Sequence, residues 1–195
     1  MQLIKIVLDT SIFVNPDSHF LFGKTPKDAF FNFLDILEDK KHISCFIPPS
    51  VYEELIKFIE SAPAAKKIPL IAKKPPSSYE TTVPSLLMYE FIEEMRLRIN
   101  KGLRIAEKYA RKRLKDPGGD NREAEEQTIK TLRQEYRAAL REGIIDSKED
   151  FDLILLAKEL HAYLATQDAG LVKWAQKLGI SSVDAVELKE MIAQG

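Results

Sequence analysis

The chain carries 195 residues, 45% of them hydrophobic and 30% charged, with a formal net charge of −1 and a single cysteine. That is room for one domain, or one domain plus an insertion, around a real core, and it excludes a disordered, fibrous or disulfide-stapled protein. The near-zero charge excludes nothing about nucleic acid, because an acidic site and a basic arm would cancel; only the distribution of charge decides.

Residues 3–8, LIKIVL, form a nearly continuous apolar run with β-branched side chains, as a central parallel strand requires. The run ends on Asp9, followed by Thr10 and Ser11, so an aspartate stands at a strand's carboxyl end. Capping of the next helical turn is the plainer alternative for this trio. Thr25-Pro26 reads as a helix start, and that helix should reach about Lys41 with Phe30, Phe33, Leu34 and Leu37 inward. A second strand, residues 42–47, carries Cys45 as a core thiol and stops at Pro48-Pro49. Ser50-Val51-Tyr52-Glu53 has capping-box spacing for the following helix. Glu53 and Glu54 either add an acidic group to a site or serve only as cap and solvated surface.

Between residues 61 and 84 the pattern dissolves. Pro63, Pro69, Pro75, Pro76 and Pro84 lie here with the pairs Lys66-Lys67 and Lys73-Lys74, which predicts an extended connector leaving the sheet. A helix follows from Ser85 to about Lys115, and some thirty residues at 1.5 Å each span about 45 Å. Ile92, Met95, Ile99, Leu103, Ala106, Ala110 and Leu114 give it one apolar stripe. The segment Asp116-Pro117-Gly118-Gly119-Asp120 is a turn that no helix crosses. A return helix, about Arg122 to Glu142, turns Ile129, Leu132, Tyr136 and Leu140 inward, and the pair makes a helical hairpin projecting from the sheet. Its arms differ in charge. Arg96, Arg98, Lys101, Arg104, Lys108, Arg111, Lys112, Arg113 and Lys115 face one acid, Glu107, whereas the return helix is balanced. A solvated face normally mixes signs, so this excess points to an anionic partner, with an acidic protein surface as the alternative. The apolar stripe is too long for its own domain to cover, and a second subunit is the simplest cover.

Residues 143–168, GIIDSKEDFDLILLAKELHAYLATQD, hold the densest signal. Asp146 and Asp150 are four apart and share one face of a helix start. Residues 153–157 are apolar nearly all round, as in a helix packed inside an α/β layer. Tyr163 to Thr166 reads as a strand with Asp168 just past its carboxyl end, where open parallel sheets bind ligands. Capping-box spacings, Asp146 with Glu149 and Ser147 with Asp150, offer a purely helix-start reading of the same acids. Asp152 competes with Asp150 but lies about 200° round the helix from it. Leu171, Val172, Trp174, Ala175 and Leu178 then mark an amphipathic helix ended by Gly179, followed by a short strand at 180–183 and a closing helix at 186–193.

Asp9, Asp146, Asp150 and Asp168 thus come from three places in the chain and one rim of the sheet. Oxygen-only ligands favour Mg²⁺ or Mn²⁺, whereas His19, His42 and His161 lack the spacing of zinc ligands. Such ions activate water and stabilise in-line attack at a phosphodiester. No serine–histidine or cysteine–histidine pattern supports acyl chemistry. One cysteine, no apolar span of membrane length and a Met1 that leads straight into a strand make a cytoplasmic protein the expectation.

LDTSIFVNP after the first strand and TQD at the end of a later one resemble the PIN-domain family of metal-dependent ribonucleases. More narrowly, IPPSVYEEL, KKPPSSYETTVP, RLRINKGLRIAEKYAR and IIDSKEDFDLILLAKEL resemble the small protein-only ribonuclease P family (HARP), earlier labelled RNA ligase partner proteins. The resemblance covers essentially the whole chain. It implies a PIN-like α/β fold, a central parallel sheet flanked by helices, with residues 1–60 and 143–195 as the metallonuclease domain and 61–142 as connector and helical hairpin. It implies removal of the 5′ leader of precursor tRNA without an RNA subunit, using Mg²⁺ or Mn²⁺. It further implies dimers through the hairpins within a larger homo-oligomer, a dodecamer. The catalytic, metal-holding acids fall on Asp9, Asp146, Asp150 and Asp168, with Asp152 and Glu54 as further candidate ligands. Arg96, Arg98, Lys101, Arg104 and Lys108, with Arg111 and Lys112, would grip the RNA backbone. Two rivals stand beside this reading: a PIN ribonuclease of other specificity (toxin-like or ribosomal-RNA-processing), and a non-catalytic RNA-binding partner of a ligase.

Overall fold

The computed structural model describes residues 3–59, 70–82, 84–115, 122–141 and 147–193. The chain divides into two compact units, residues 1–83 with 145–195, and residues 84–144. The strands are β1 (Ile4–Leu8), β2 (Ile43–Ile47), β3 (Ile71–Lys73), β4 (Tyr163–Ala165) and β5 (Ser182–Val183). The helices are α1 (Ser11–Val14), α2 (Pro26–Leu37), α3 (Pro49–Ile59), α4 (Ser85–Lys115), α5 (Arg122–Arg141), α6 (Lys148–Leu160), α7 (Ala169–Lys177) and α8 (Ala185–Ala193).

In the first unit the five strands are ordered β3-β2-β1-β4-β5, and every neighbouring pair is parallel. The chain winds outward from β1 to β2 and β3, then returns to the other side of β1 for β4 and β5. The sequence direction of winding therefore reverses between β1 and β4, and the crevice beyond their carboxyl ends is the natural ligand site of such a sheet. Leu8 stands beside Ala165, and the Asp9 amide donates to the Ala165 carbonyl at 3.0 Å, which fixes Asp9 next to the segment 166–168. Continuous apolar β1 has Ile6, Val7 and Leu8 fully buried, as a strand covered on both faces must. Phe13 packs edge-on against Phe30 and Phe33, each such pair adding about 1 kcal/mol beyond area burial. Residues Leu153 to Ala157 of α6 are all buried, which explains why that helix shows no polar face there.

Three expectations are corrected here. Residues 71–73 are not connector: β3 pairs with β2, and the unit boundary falls after residue 83 rather than at 60. Its two exposed residues of three hid the strand in a proline- and lysine-rich context. The ammonium of Lys74 and the amide of Ser77 (2.7 Å) both bind the Glu159 carboxylate, holding the next residues against α6. Ser50 is not an N-cap, because α3 begins one residue earlier at Pro49. Helix α2 keeps its Thr25 cap but stops at Leu37. The connector residues 61–69 and the Asp116–Asp120 turn lie outside the described residues.

In the second unit α4 packs along α5. The α4 residues that meet α5 are not its apolar stripe. Arg98 is buried and donates to the Leu140 carbonyl, and Gly102 lies so close to Tyr136 that an added Cβ would stand 2.5 Å from the ring. The stripe residues Ile92, Met95, Ile99 and Leu103 are 40–60% exposed. At about 100° per residue, that stripe and the series Lys101, Arg104, Lys108, Arg111 fall on opposite sides of α4, with the α5 seam between them.

Candidate active site

A cavity of about 530 Å³ opens at the carboxyl edge of the sheet. Asp9, Thr10 and Ser11 line it from the end of β1, Ser50, Glu53, Glu54 and Lys57 from α3, Ser147, Glu149 and Asp150 from the start of α6, and Asp168 from the loop after β4. A larger hollow, about 860 Å³, opens at the amino ends of β1 and β4, but among the described residues no carboxylate lines it. Size therefore does not mark the chemistry.

Each acid is placed by local structure. Asp9 is 6% exposed; Ser11 Oγ (2.5 Å) and Thr166 Oγ1 (2.6 Å) both donate to its Oδ2. Burial raises its pKa above the usual carboxylate range, the two hydroxyls oppose that, and nearby Asp168 adds to it. Asp168 is the N-cap of α7, its Oδ1 accepting from the Leu171 amide at 2.9 Å. Asp150 sits in the first turn of α6 beneath the Ser147 cap, whose hydroxyl accepts from the Asp150 amide at 3.0 Å. The capping reading and the cavity reading of this acid are therefore both true: the cap orients the turn that presents it. Glu54 is half-buried, and its carboxyl is raised by burial, by Asp9 and by Glu149, with Lys57 pulling the other way.

Of the seven acids considered from sequence, Asp9, Glu53, Glu54, Asp150 and Asp168 share the cavity. Asp146 lies outside the described residues. Asp152 turns elsewhere: its Oδ2 accepts from Ser50 Oγ at 2.7 Å, so it ties α6 to α3 from behind the cavity wall. Its position round the helix accounts for this. Sequence reasoning missed Ser11 and Thr166 as partners of Asp9, Glu149 as a lining acid and Lys57 as a lining cation. The first two stood inside the DTS and TQD motifs, and Lys57 stood one turn after Glu53.

The donor set is all oxygen, and within it Asp9 and Glu54 are held at raised proton affinity, which fits a hard divalent cation. Among the described residues no three His, Cys, Asp or Glu side chains close on one point. Asp9, Asp150, Asp168 and Glu54 line the same cavity and could hold such a cation. When bound, it would supply Lewis-acid stabilisation of a phosphodiester and a water of lowered pKa.

In the hairpin, Arg96 pairs with Glu93 (3.0 Å), and Lys108 pairs with Glu135 (3.0 Å), which also accepts from the Tyr109 hydroxyl. Lys101, Arg104, Arg111 and Lys112 are exposed. Arg98 differs from the surface contact expected of it, since its guanidinium is consumed inside the hairpin. The Leu140 carbonyl lies next to the last residue of α5, where helix carbonyls lack an intrahelical donor.

Comparison with known proteins adds the family. Residues 5–194 match the PINc domain ribonuclease family. A protein of Pyrococcus horikoshii named RNA-free ribonuclease P is 45% identical over 194 residues, covering 98% of this chain and 93% of that one. One of Thermodesulfovibrio yellowstonii with the same name is 46% identical over 193 residues, 96% of this chain and 93% of its own. One of Methanocaldococcus jannaschii, again so named, is 37% identical over 216 residues, 100% and 93%. The chain belongs to the RNA-free ribonuclease P family. It is an endoribonuclease with a PIN domain, and the cavity at the β1–β4 crevice is where an RNA-free ribonuclease P of this sequence gathers its acids.

Proposed function

We propose that this protein removes the 5′ leader of precursor tRNA in the cytoplasm, without an RNA subunit, and that Mg²⁺ or Mn²⁺ occupies the carboxylate cavity. The observation that carries the proposal is the convergence of Asp9, Asp150, Asp168 and Glu54 on one cavity in a member of this family. Asp146, four residues before Asp150, is the further ligand we assign. Within the site, Ser11 and Thr166 hold the Asp9 carboxylate in one orientation, and the Ser147 cap and the Ser50–Asp152 bond hold α6 and α3 in register so that Asp150 and Glu54 line one opening. The binding surface is the exposed series Lys101, Arg104, Lys108, Arg111 and Lys112, with Arg96 to one side; it tracks backbone phosphates and reads folded RNA by shape. Arg98 braces that surface from within.

The exposed stripe Ile92, Met95, Ile99 and Leu103 supports dimers formed through the hairpin, within a larger assembly up to a dodecamer. Covering that side leaves the basic side of α4 free. No described helix is long and apolar enough to cross a membrane. Incubation of the purified protein with a leader-bearing precursor tRNA, with Mg²⁺ or with EDTA, tests the proposal. A mature 5′ end appearing only with Mg²⁺ is expected; an intact leader in both reactions overturns it, and equal cleavage of unrelated structured RNAs favours a PIN ribonuclease of other specificity.

A further inference from the structure

Lys57 stands out in the cavity by its sign. It lines the same space as Asp9, Glu53, Glu54, Glu149, Asp150 and Asp168, and no other basic residue does so among the described residues. Lys57 lies three residues after Glu54 and four after Glu53 on α3, about one turn on, so the lysine emerges at the opening that both glutamates line. Its side chain is exposed, and among the described residues it makes no hydrogen bond or ion pair. It is close enough to Glu54 to draw that carboxyl's pKa downward.

We infer that Lys57 is a catalytic residue, placing its ammonium on a non-bridging oxygen of the scissile RNA phosphate and stabilising the negative charge that builds there during cleavage. Six acidic side chains line a cavity that must admit a phosphodiester, itself anionic, and then tolerate more negative charge on the phosphoryl oxygens as a nucleophile adds. The carboxylates oppose both steps. A compact ammonium on a flexible stem, with three rotatable donors, is suited to meet a phosphate oxygen as it arrives. The competing role is to relieve carboxylate repulsion in the folded protein. That role calls for a closed pair, as Lys74 makes with Glu159 in the same unit. Lys57, with carboxylates on its own helix and across the cavity, closes on none of them.

The inference rests on reading this cavity as the phosphodiester-cleaving centre, and the experiment separates the two. Wild type, Asp150→Asn, Lys57→Met and Lys57→Arg are compared on a leader-bearing precursor tRNA in single-turnover cleavage at saturating Mg²⁺. Substrate affinity, half-saturating Mg²⁺ and the metal-free melting temperature are measured alongside. Lys57→Met is expected to slow the cleavage step by about 10- to 100-fold, with affinity, metal requirement and melting temperature unchanged and Lys57→Arg restoring most of the rate. An unchanged rate in Lys57→Met beside a cleaving wild type overturns the inference alone. So does a loss explained by a higher Mg²⁺ requirement or a lower melting temperature, which would make Lys57 a charge-balancing residue. A defect confined to affinity overturns the transition-state role as well. A wild type that cleaves nothing overturns the cavity reading on which the inference rests.

Discussion

Asp9 in the sheet unit is 6% exposed and stands near other acids, whereas Lys108 in the hairpin unit is exposed and already holds Glu135. The first arrangement is electrostatically unfavourable as it stands: burial and Asp168 raise the Asp9 carboxyl, and Asp9 in turn raises Glu54. The second relaxes locally, with Lys108 and the Tyr109 hydroxyl lowering the Glu135 carboxyl. Charge of one sign is thus confined in one unit and spread along solvent in the other. Confined charge suits a cation and bond cleavage, because the low-dielectric surroundings amplify each interaction. Spread charge suits a weak, salt-sensitive grip on a long polyanion.

The comparison breaks most visibly if the two units are not functionally separable. Asp150→Asn should lower precursor-tRNA cleavage on the order of a thousand-fold, while leaving filter-binding affinity within experimental scatter; lost binding would mean that the cavity also carries the grip. Lys101→Glu with Arg104→Glu should do the reverse, weakening binding by about 10- to 100-fold and flattening the dependence of log affinity on log salt by roughly one unit per lost phosphate contact. An unchanged salt slope would remove these residues from the interface. Within the hairpin, Leu103→Asp should shift the mass seen by light scattering toward the monomer without changing the helical circular dichroism. An unaltered mass would leave the exposed stripe without a partner.

The confined side can be sharpened through pH. A carboxyl raised in the folded state binds a proton that the unfolded chain releases. Its stabilisation is complete below the unfolded value, 3.8 for Asp9, and is lost as pH rises through the higher folded value. Asp9→Asn should therefore melt above wild type in chelator, by a margin that widens as pH rises from about 4, and added Mg²⁺ should narrow it. A margin independent of pH would mean that the acids do not strain the fold. The smallest effect concerns neither charge cluster. His161 ends α6 at φ 49°, with its own amide and that of Ala162 closing onto the last turn. His161→Gly should stabilise by about 0.5–1 kcal/mol in urea unfolding, since glycine accepts this conformation without steric cost.

Much of the sheet unit was legible because its elements are locally consistent. β1 has a continuous apolar run, α2 a Thr25-Pro26 start and α6 a buried apolar stretch, and each signal agrees with the packing that follows. β3 escaped because three residues beside prolines carry no periodicity, and only pairing with β2 makes them a strand. At the site the acids could be found, since strand ends and helix starts are visible in sequence. Which of two neighbouring acids enters the cavity was settled by angle round the helix, in favour of Asp150 over Asp152. Ser11, Thr166 and Lys57 act through tertiary neighbours and leave no periodic trace. The hairpin teaches the converse. Spacing correctly located an apolar stripe on α4, yet the residues turned toward α5 are Arg98 and Gly102, because a seam so narrow at Tyr136 admits small or extended side chains rather than branched ones.

The sheet ends in β3, with three residues, on one side and β5, with two, on the other. Rims that short offer almost no ladder on which a foreign strand could template itself, so the fold is poorly disposed to polymerise edge to edge. The proposed self-association is then left to the helical insertion. If the hairpin dimer forms as proposed, copy number and bond cleavage can drift apart under selection, one adjusted on α4 and the other at the crevice.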